Sequence, residues 1–178
     1  EGHFVYAGAR KDKDLAELDA IENIKAVRLD VTRQADVDAA VALIRDEGRG
    51  LWGLVNNAGV ASRAPVAAVT DEDVDFVFAV NVDGVVRVTR AFIPLIVESK
   101  GRIVTTGSIA GIRSSPGGSV YSMSKHAVEA LTDSLAAEMA DTGVQVSVIE
   151  PGAYKSRIRR NAIGRYMDDV EASGGEVP

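Results

Sequence analysis

The sequence predicts a three-layer α/β protein in which helices cover both faces of a doubly wound parallel sheet. Short apolar runs alternate along the chain with longer segments of helical periodicity, and polar clusters follow the apolar runs. Strands separated by helices of ten or more residues pair in parallel, because each connection crosses over the sheet. Ligands bind such sheets beyond the carboxyl ends of the strands, where we expect the polar clusters to meet.

Local signals predict each element in order. Apolar, β-branched runs predict five strands: Phe4–Ala9, Ile24–Val31, Leu51–Asn56, Arg102–Ser108 and Val144–Ile149. Thr70, with Asp73 three residues on, is typical of a helix start, and Gly48 and Gly143 are typical of helix ends. These signals predict helices over Asp12–Ile21, from a Thr32 cap to about Asp46, from Thr70 to about Glu98 with a bend at Pro94, from Ser119 to Asp141, and after Lys155.

The composition indicates a single globular domain and excludes several classes of function. The 178 residues include no cysteine and two histidines, which excludes thiolate chemistry and predicts no metal site. A net charge of −6 argues against a nucleic-acid partner, because phosphate binding needs a concentrated basic face. The longest apolar run, Ala91 to Val97, is too short to span a membrane. We expect a cytoplasmic protein.

One polar residue interrupts an apolar helix face. On the helix from Thr70, apolar residues recur at steps of three and four and make a stripe that Asn81 interrupts. A buried amide without partners costs about 1–3 kcal/mol, so Asn81 should have specific hydrogen bonds. The Asn81 side chain either serves a functional site or forms hydrogen bonds with the neighbouring backbone and kinks the helix. Further apolar residues on the other faces of this helix predict a subunit contact.

Tyr121 and Lys125 share one face of a predicted helix, with Cβ atoms roughly 5–6 Å apart. An ammonium about 4 Å from a phenolate is worth roughly 4 kcal/mol at an effective dielectric constant of 20, which lowers the phenol pKa by about three. The pair is therefore a candidate general base, unless Lys125 pairs with Glu129 on a solvated face. Ser108, at a strand end, adds a hydroxyl donor for a carbonyl oxygen; alternatively it caps a turn.

These motifs together resemble those of one enzyme family. Asn56-Asn57-Ala58-Gly59, Asn81, Ser108, Tyr121-x-x-x-Lys125 and Pro151-Gly152 are similar, in this order, to the motifs of short-chain dehydrogenase/reductases, and the resemblance runs from Phe4 to about Ser156. It implies a Rossmann-like fold and hydride transfer between a nicotinamide and an alcohol or ketone. It also implies catalytic roles: Tyr121 as general acid/base, Ser108 orienting the substrate oxygen, Lys125 lowering the Tyr121 pKa and binding the nicotinamide ribose, and Asn81 holding a relay water.

The resemblance also implies a cofactor site for NADP or NAD. The residues that it assigns to cofactor binding are Arg10, Asp30, Val31, Asn57, Ala58, Gly59, Tyr121, Lys125, Pro151, Gly152 and Ser156. Asp30 and Val31 would meet the adenine, and Ser156 replaces the threonine usual in the family. Gly8 stands where NAD-binding members carry an acid, and Arg10 follows it, which favours NADP because arginine can clamp a phosphate. The alternative is that Arg10 is a surface residue.

The family's phosphate loop, Gly-x-x-x-Gly-x-Gly, is not found in this sequence. The strand Phe4–Ala9 matches the family's second strand, and the first strand lies between the second and the fourth in such sheets. Without that central strand the sheet would divide into two pieces with exposed edges, which are an aggregation hazard. We therefore expect residues 1–178 to form a single partial domain from which the first βα unit and the last strand are absent.

Two segments narrow the branch of the family. Leu51-Trp52-Gly53-Leu54-Val55 and Ile149-Glu150-Pro151-Gly152 resemble the branch of retinol, hydroxysteroid and 3-hydroxybutyrate dehydrogenases. Arg157, Arg159 and Arg160 either attract an acidic substrate or lie on a solvated helix face. We predict an NADP-dependent alcohol dehydrogenase or ketone reductase that forms a dimer or tetramer. The alternatives are a 3-oxoacyl carrier-protein reductase, a non-catalytic dinucleotide sensor and a sugar-nucleotide epimerase.

Overall fold

A computed structural model describes residues 2–154 and 156–172. The strands of this part of the chain are β1 (Val5–Ala9), β2 (Ile24–Arg28), β3 (Gly53–Asn56), β4 (Arg102–Thr106) and β5 (Gln145–Ile149). Its α-helices are α1 (Asp12–Asp19), α2 (Gln34–Glu47), α3 (Asp71–Phe78), α4 (Gly84–Ser99), α5 (Ser119–Glu138) and α6 (Ile158–Ala172). Lys155, the predicted start of the last helix, lies outside the described residues.

All strand pairs are parallel, but they form two sheets. β1 pairs with β2, and β4 lies between β3 and β5 in a separate three-stranded sheet. The predicted fold class, parallel strands connected by helices, is therefore confirmed. The two sheets separate between β1 and β3.

Helix packing joins the two sheets. One buried apolar cluster combines α2 and α4 with β2: Val27, Val37, Ala40, Ile44, Val88, Phe92 and Leu95. Tyr6 of β1 and Leu54 of β3 pack against this cluster from the two sheets. A second cluster joins Ile96 of α4, Ile103 of β4 and Leu135 of α5. The sheets thus share a helical layer, although no strand of the described residues links them.

The predicted helix from Thr70 to Glu98 is interrupted. A π-helical segment, Ala79–Asp83, separates α3 from α4 and carries Asn81. Such segments insert an extra residue into the helical turn and commonly mark functional sites. The Thr70 cap is confirmed, because its side chain accepts a hydrogen bond from the Asp73 N–H at 3.1 Å.

The Thr32 cap is wrong. Arg33 precedes the first residue of α2 without a capping side chain, and the Thr32 hydroxyl instead donates to Asp30 Oδ1 at 2.7 Å. The strands β2 and β4 also end earlier than predicted, because the residues after them turn at Asp30 and Ser108. Among the described residues, no helix combines the length and apolar character needed to cross a membrane.

Candidate active site

Polar residues meet at the carboxyl ends of β3, β4 and β5. The Thr106 hydroxyl, at the end of β4, donates to Asn57 Oδ1 at 3.1 Å. The Ile109 N–H, directly after Ser108, donates to the Pro151 carbonyl at 3.2 Å. The loops that follow the three strands are therefore joined by hydrogen bonds into one rim.

Ser108 begins a short 3₁₀ turn over Ile109–Gly111. Its backbone is extended, with φ −174°, and its Oγ accepts a hydrogen bond from the Ala110 N–H at 3.1 Å. Ser108 is thus a turn cap, as the simpler interpretation held. Its hydroxyl hydrogen is not used by this contact, so capping and a functional role are compatible.

Tyr121 and Lys125 lie on the face of α5 that points toward the end of β4. Lys125 is only 5% exposed, and its Nζ donates to the Thr106 carbonyl at 2.6 Å. The same Nζ lies 5.7 Å from the centroid of the Tyr121 ring. Lys125 is therefore not a surface residue paired with Glu129, and the interpretation as a solvated face is wrong.

The electrostatics of the pair differ from the sequence-based expectation. Burial raises the pKa of Tyr121 above its ordinary value of 10.0, and a hydrogen-bonding interaction with the Ser108 side chain lowers it only in part. Burial also lowers the pKa of Lys125, whereas the charge of Glu129 acts to raise it. Burial therefore determines the direction of the Tyr121 shift, and the lowering expected from Lys125 stays a prediction.

Asn81 clamps three segments together. Its Oδ1 accepts from the Val60 N–H at 2.9 Å, and its Nδ2 donates to the Val60 carbonyl at 2.9 Å and to Ser124 Oγ at 3.0 Å. At 1% exposure, the side chain joins the π-helical segment to the loop after β3 and to α5. Both amide hydrogens have protein partners, so the side chain acts as a clamp, and its predicted relay water stays a prediction.

Gly59 brings the turn after β3 close to this group. A Cβ atom at Gly59 would lie 3.5 Å from Asn81 Oδ1 and 3.9 Å from Lys125 Nζ. A side chain at Gly59 would therefore lie in van der Waals contact with both groups. Ala58, Gly152 and Ser156, also predicted to bind cofactor, are exposed at or beyond this rim.

Arg10, Asp30 and Val31 form a separate group at the ends of β1 and β2. Arg10 Nη1 lies 3.6 Å from Asp30 Oδ2. Burial acts to raise the pKa of Asp30, but hydrogen bonds from Thr32 and the charge of Arg10 lower it below its ordinary value. The Val31 carbonyl accepts from the Arg87 guanidinium at 2.7 Å, which fixes this loop against α4.

Sequence reasoning missed several residues of the site. Ser124, fully buried, donates to the Tyr121 carbonyl at 2.8 Å and accepts from Asn81. Thr106 accepts the Lys125 hydrogen bond through its main-chain carbonyl, and the type of a side chain gives no indication of a main-chain contact. The buried amide of Asn56, which donates to Thr89 Oγ1 at 2.9 Å, was treated only as part of the turn. Its position at the end of a predicted strand, directly before the turn residues 57–59, was the signal that could have indicated a buried amide.

Comparison with known proteins identifies the family. The sequence pattern that defines the family described as short chain dehydrogenase matches residues 1–165. The chain belongs to the short-chain dehydrogenase family. It is 42% identical over 164 residues to a mitochondrial D-beta-hydroxybutyrate dehydrogenase of Bos taurus, covering 86% of this chain and 48% of that protein. It is 40% identical over 161 residues to retinol dehydrogenase 16 of Homo sapiens, covering 88% and 50%.

Solved structures of short-chain dehydrogenases share the fold. A closed form of serine dehydrogenase complexed with NADP+ superposes with a TM-score of 0.87 at 31% identity, covering 96% of this chain and 71% of that one. A short-chain dehydrogenase/reductase from Burkholderia phymatum in complex with NAD gives 0.80 at 30% identity, covering 86% and 58%. The resemblance to the hydroxybutyrate, retinol and hydroxysteroid branch is confirmed. The chain spans about half the length of the curated relatives that it matches.

Proposed function

We propose that this short-chain dehydrogenase is an NAD(P)-dependent alcohol dehydrogenase or ketone reductase with Tyr121 as its general acid and base. The convergence of Ser108, Tyr121 and Lys125 at the end of β4 carries the proposal. A hydroxyl donor, a phenol and a buried ammonium are the groups that polarise a carbonyl oxygen and exchange its proton.

The reaction divides between cofactor and protein. A bound nicotinamide would supply the chemistry of hydride transfer to and from the carbonyl carbon. In reduction, the Ser108 hydroxyl donates a hydrogen bond to the substrate oxygen, and Tyr121 transfers its phenolic proton to that oxygen as the alkoxide forms. The raised pKa of Tyr121 keeps the phenol protonated at neutral pH, which is the form that reduction requires. In oxidation the phenolate takes the alcohol proton, and the Lys125 ammonium stabilises that anion.

The described residues fit a dinucleotide. Lys125 Nζ uses one hydrogen for the Thr106 carbonyl, so two remain for ribose hydroxyls. The Arg10 side chain is 59% exposed, and its contact with Asp30 is a surface pair. Such pairs are worth roughly 0.2–1 kcal/mol, less than a charge-assisted bidentate bond to phosphate. This supports a preference for NADP over NAD.

We further propose a secondary alcohol, or the corresponding ketone, as substrate. The names of the similar proteins, hydroxybutyrate and 17-beta-hydroxysteroid dehydrogenases, support this class. Arg157 and Arg160 are exposed at the start of α6 and are available to an acidic substrate, whereas the side chain of Arg159 lies outside the described part of the chain.

The test combines binding with turnover. Fluorescence titration with NADPH and NADH should give tighter NADPH binding, and tighter NADH binding would reject the role given to Arg10. Turnover is then measured with 3-hydroxybutyrate, a hydroxysteroid, retinol and a 3-oxoacyl thioester. A clear preference for the thioester would favour a carrier-protein reductase, and cofactor binding without any turnover would favour a sensor.

The variant Tyr121→Phe tests the general acid and base. Because general acid–base catalysis contributes about 10²–10⁴-fold, kcat should fall at least about 100-fold while the cofactor Kd stays unchanged. Tyr166→Phe, on α6, is the matched control and should keep wild-type turnover. Turnover by Tyr121→Phe at the rate of this control would reject the assignment.

We also propose a homo-oligomer in which α4 and α5 contribute the interface. Val86 of α4 and Met123 of α5 are exposed apolar side chains on these helices. Sedimentation equilibrium should show a dimer or tetramer, and a monomer at all concentrations would contradict this proposal.

A further inference from the structure

Glu129 lies on the same face of α5 as Tyr121 and Lys125. Glu129 follows Lys125 by four residues, as Lys125 follows Tyr121, so the three side chains lie on one side of the helix. The Glu129 Oε1 atom is buried, and it is the one such side-chain polar atom among the described residues without a hydrogen-bond partner. A buried polar atom without a partner costs about 1–3 kcal/mol, so its position needs an explanation.

The carboxyl group of Glu129 lies against the turn that carries Ser108. A Cβ atom at Gly107 would lie 2.7 Å from Glu129 Oε1, and one at Gly111 would lie 2.8 Å from the same oxygen. These glycines enclose the turn on either side of Ser108. A Cβ atom at either position would displace the carboxyl group, so the carboxyl group packs directly against the 107–111 turn.

The surroundings of Glu129 favour the uncharged carboxyl group more than water does. Burial raises its pKa, and the neighbouring Glu150 and Asp133 raise it further, whereas Lys125 and His126 lower it. A group under these influences can be replaced by a neutral amide of the same shape without loss of its packing.

We propose that Glu129 is a positioning residue for Ser108, which it holds against Tyr121 by supporting the 107–111 turn from the α5 side. Three successive turns of α5 then set one geometry: Tyr121 interacts with Ser108, Lys125 bonds the Thr106 carbonyl, and Glu129 supports the turn between them. The inference rests on the proposed function, because its kinetic consequence requires Ser108 to act on the substrate.

The kinetic test compares Glu129→Ala with Glu129→Gln. Misplacement of a reacting group by about 1 Å costs on the order of 100-fold, so Glu129→Ala should lower kcat by about 10- to 100-fold and leave the cofactor Kd unchanged. Glu129→Gln keeps the shape and should stay within about threefold of wild type. Glu138→Ala, an exposed acid at the end of α5, is the control and should have no effect. Equal losses in the Ala and Gln variants would overturn the proposal.

A double-mutant cycle tests whether Glu129 acts through Ser108. Residues that act as a unit are strongly non-additive, so Glu129→Ala should lower kcat by no more than about twofold further when Ser108 is already alanine. Losses that simply multiply would overturn the proposal. If Glu129→Ala does not fold, Gly111→Ala disturbs the same contact from the turn, and unchanged kcat in that variant would also overturn it.

Hydrogen exchange gives a readout that needs no turnover. Peptides covering residues 107–113 should exchange faster in Glu129→Ala than in Glu129→Gln or Glu138→Ala, while the rest of α5 is unchanged. Absence of wild-type turnover would reject the proposed function alone, whereas unchanged exchange in this turn would reject the role of Glu129 alone.

Discussion

Replacing Asn81 with alanine removes a buried side chain that joins three segments around the candidate site. The amide makes three hydrogen bonds of 2.9–3.0 Å, two with the Val60 main chain and one with Ser124. The substitution leaves the loop after β3 without its link to the π-helical segment. It also removes the partner of Ser124, which in turn bonds the Tyr121 carbonyl.

The expected loss of stability follows from these contacts. Each hydrogen bond contributes about 1 kcal/mol net, so three of them contribute about 3 kcal/mol to the free energy of unfolding. For a domain of this size, 1 kcal/mol corresponds to about 2–4 °C in Tm, so Tm should fall by about 6–12 °C.

Urea unfolding and a thermal scan measure the effect. Asn161→Ala is the matched control, because this asparagine is exposed on α6, and its free energy of unfolding should change by no more than about 0.5 kcal/mol. Equal losses in Asn81→Ala and Asn161→Ala would show that the clamp does not stabilise the fold.

Two further predictions concern the ends of the molecule. Burial and a hydrogen bond to Glu47 raise the pKa of Tyr6 from 10.0 to about 12. The neutral phenol therefore stabilises the fold below pH 10. In urea unfolding, the wild type should be more stable than Tyr6→Phe below pH 10, and this difference should disappear between about pH 10 and 12. A difference that stays constant over this range contradicts the prediction. The Arg165 Nε atom donates to the buried Asp73 carboxylate at 3.0 Å, so Arg165→Gln should speed proteolysis within α6, whereas cleavage as slow as in the exposed control Arg160→Gln would refute the contact.

The sequence predicted the elements well where local signals are strong. The Thr70 cap and the stop at Gly48, whose φ of 65° favours glycine, both form as expected. The Thr32 cap failed because α2 begins at Gln34, so that Arg33 rather than Thr32 occupies the cap position. The π-helical segment could not be predicted, because its apolar spacing is close to that of a continuous helix.

The residues of the site could be predicted from their side-chain types, but the contacts that they make could not. Ser108, Tyr121 and Lys125 do come together at one strand end. However, the partner of Lys125 is the Thr106 carbonyl, and every residue offers a carbonyl, so no residue type marks this one. Glu129 was considered only as a surface partner of Lys125, because glutamate side chains are mostly exposed in folded proteins.

Main-chain anchoring explains which perturbations this site should resist. Lys125 bonds the Thr106 carbonyl, Asn81 bonds the Val60 N–H and carbonyl, and Ser108 accepts from a main-chain N–H. These contacts depend on the backbone path rather than on the neighbouring side chains. Substitutions elsewhere that preserve this path should therefore leave these contacts intact, whereas a displacement of α5 from the end of β4 would break the contact of Lys125 with the Thr106 carbonyl.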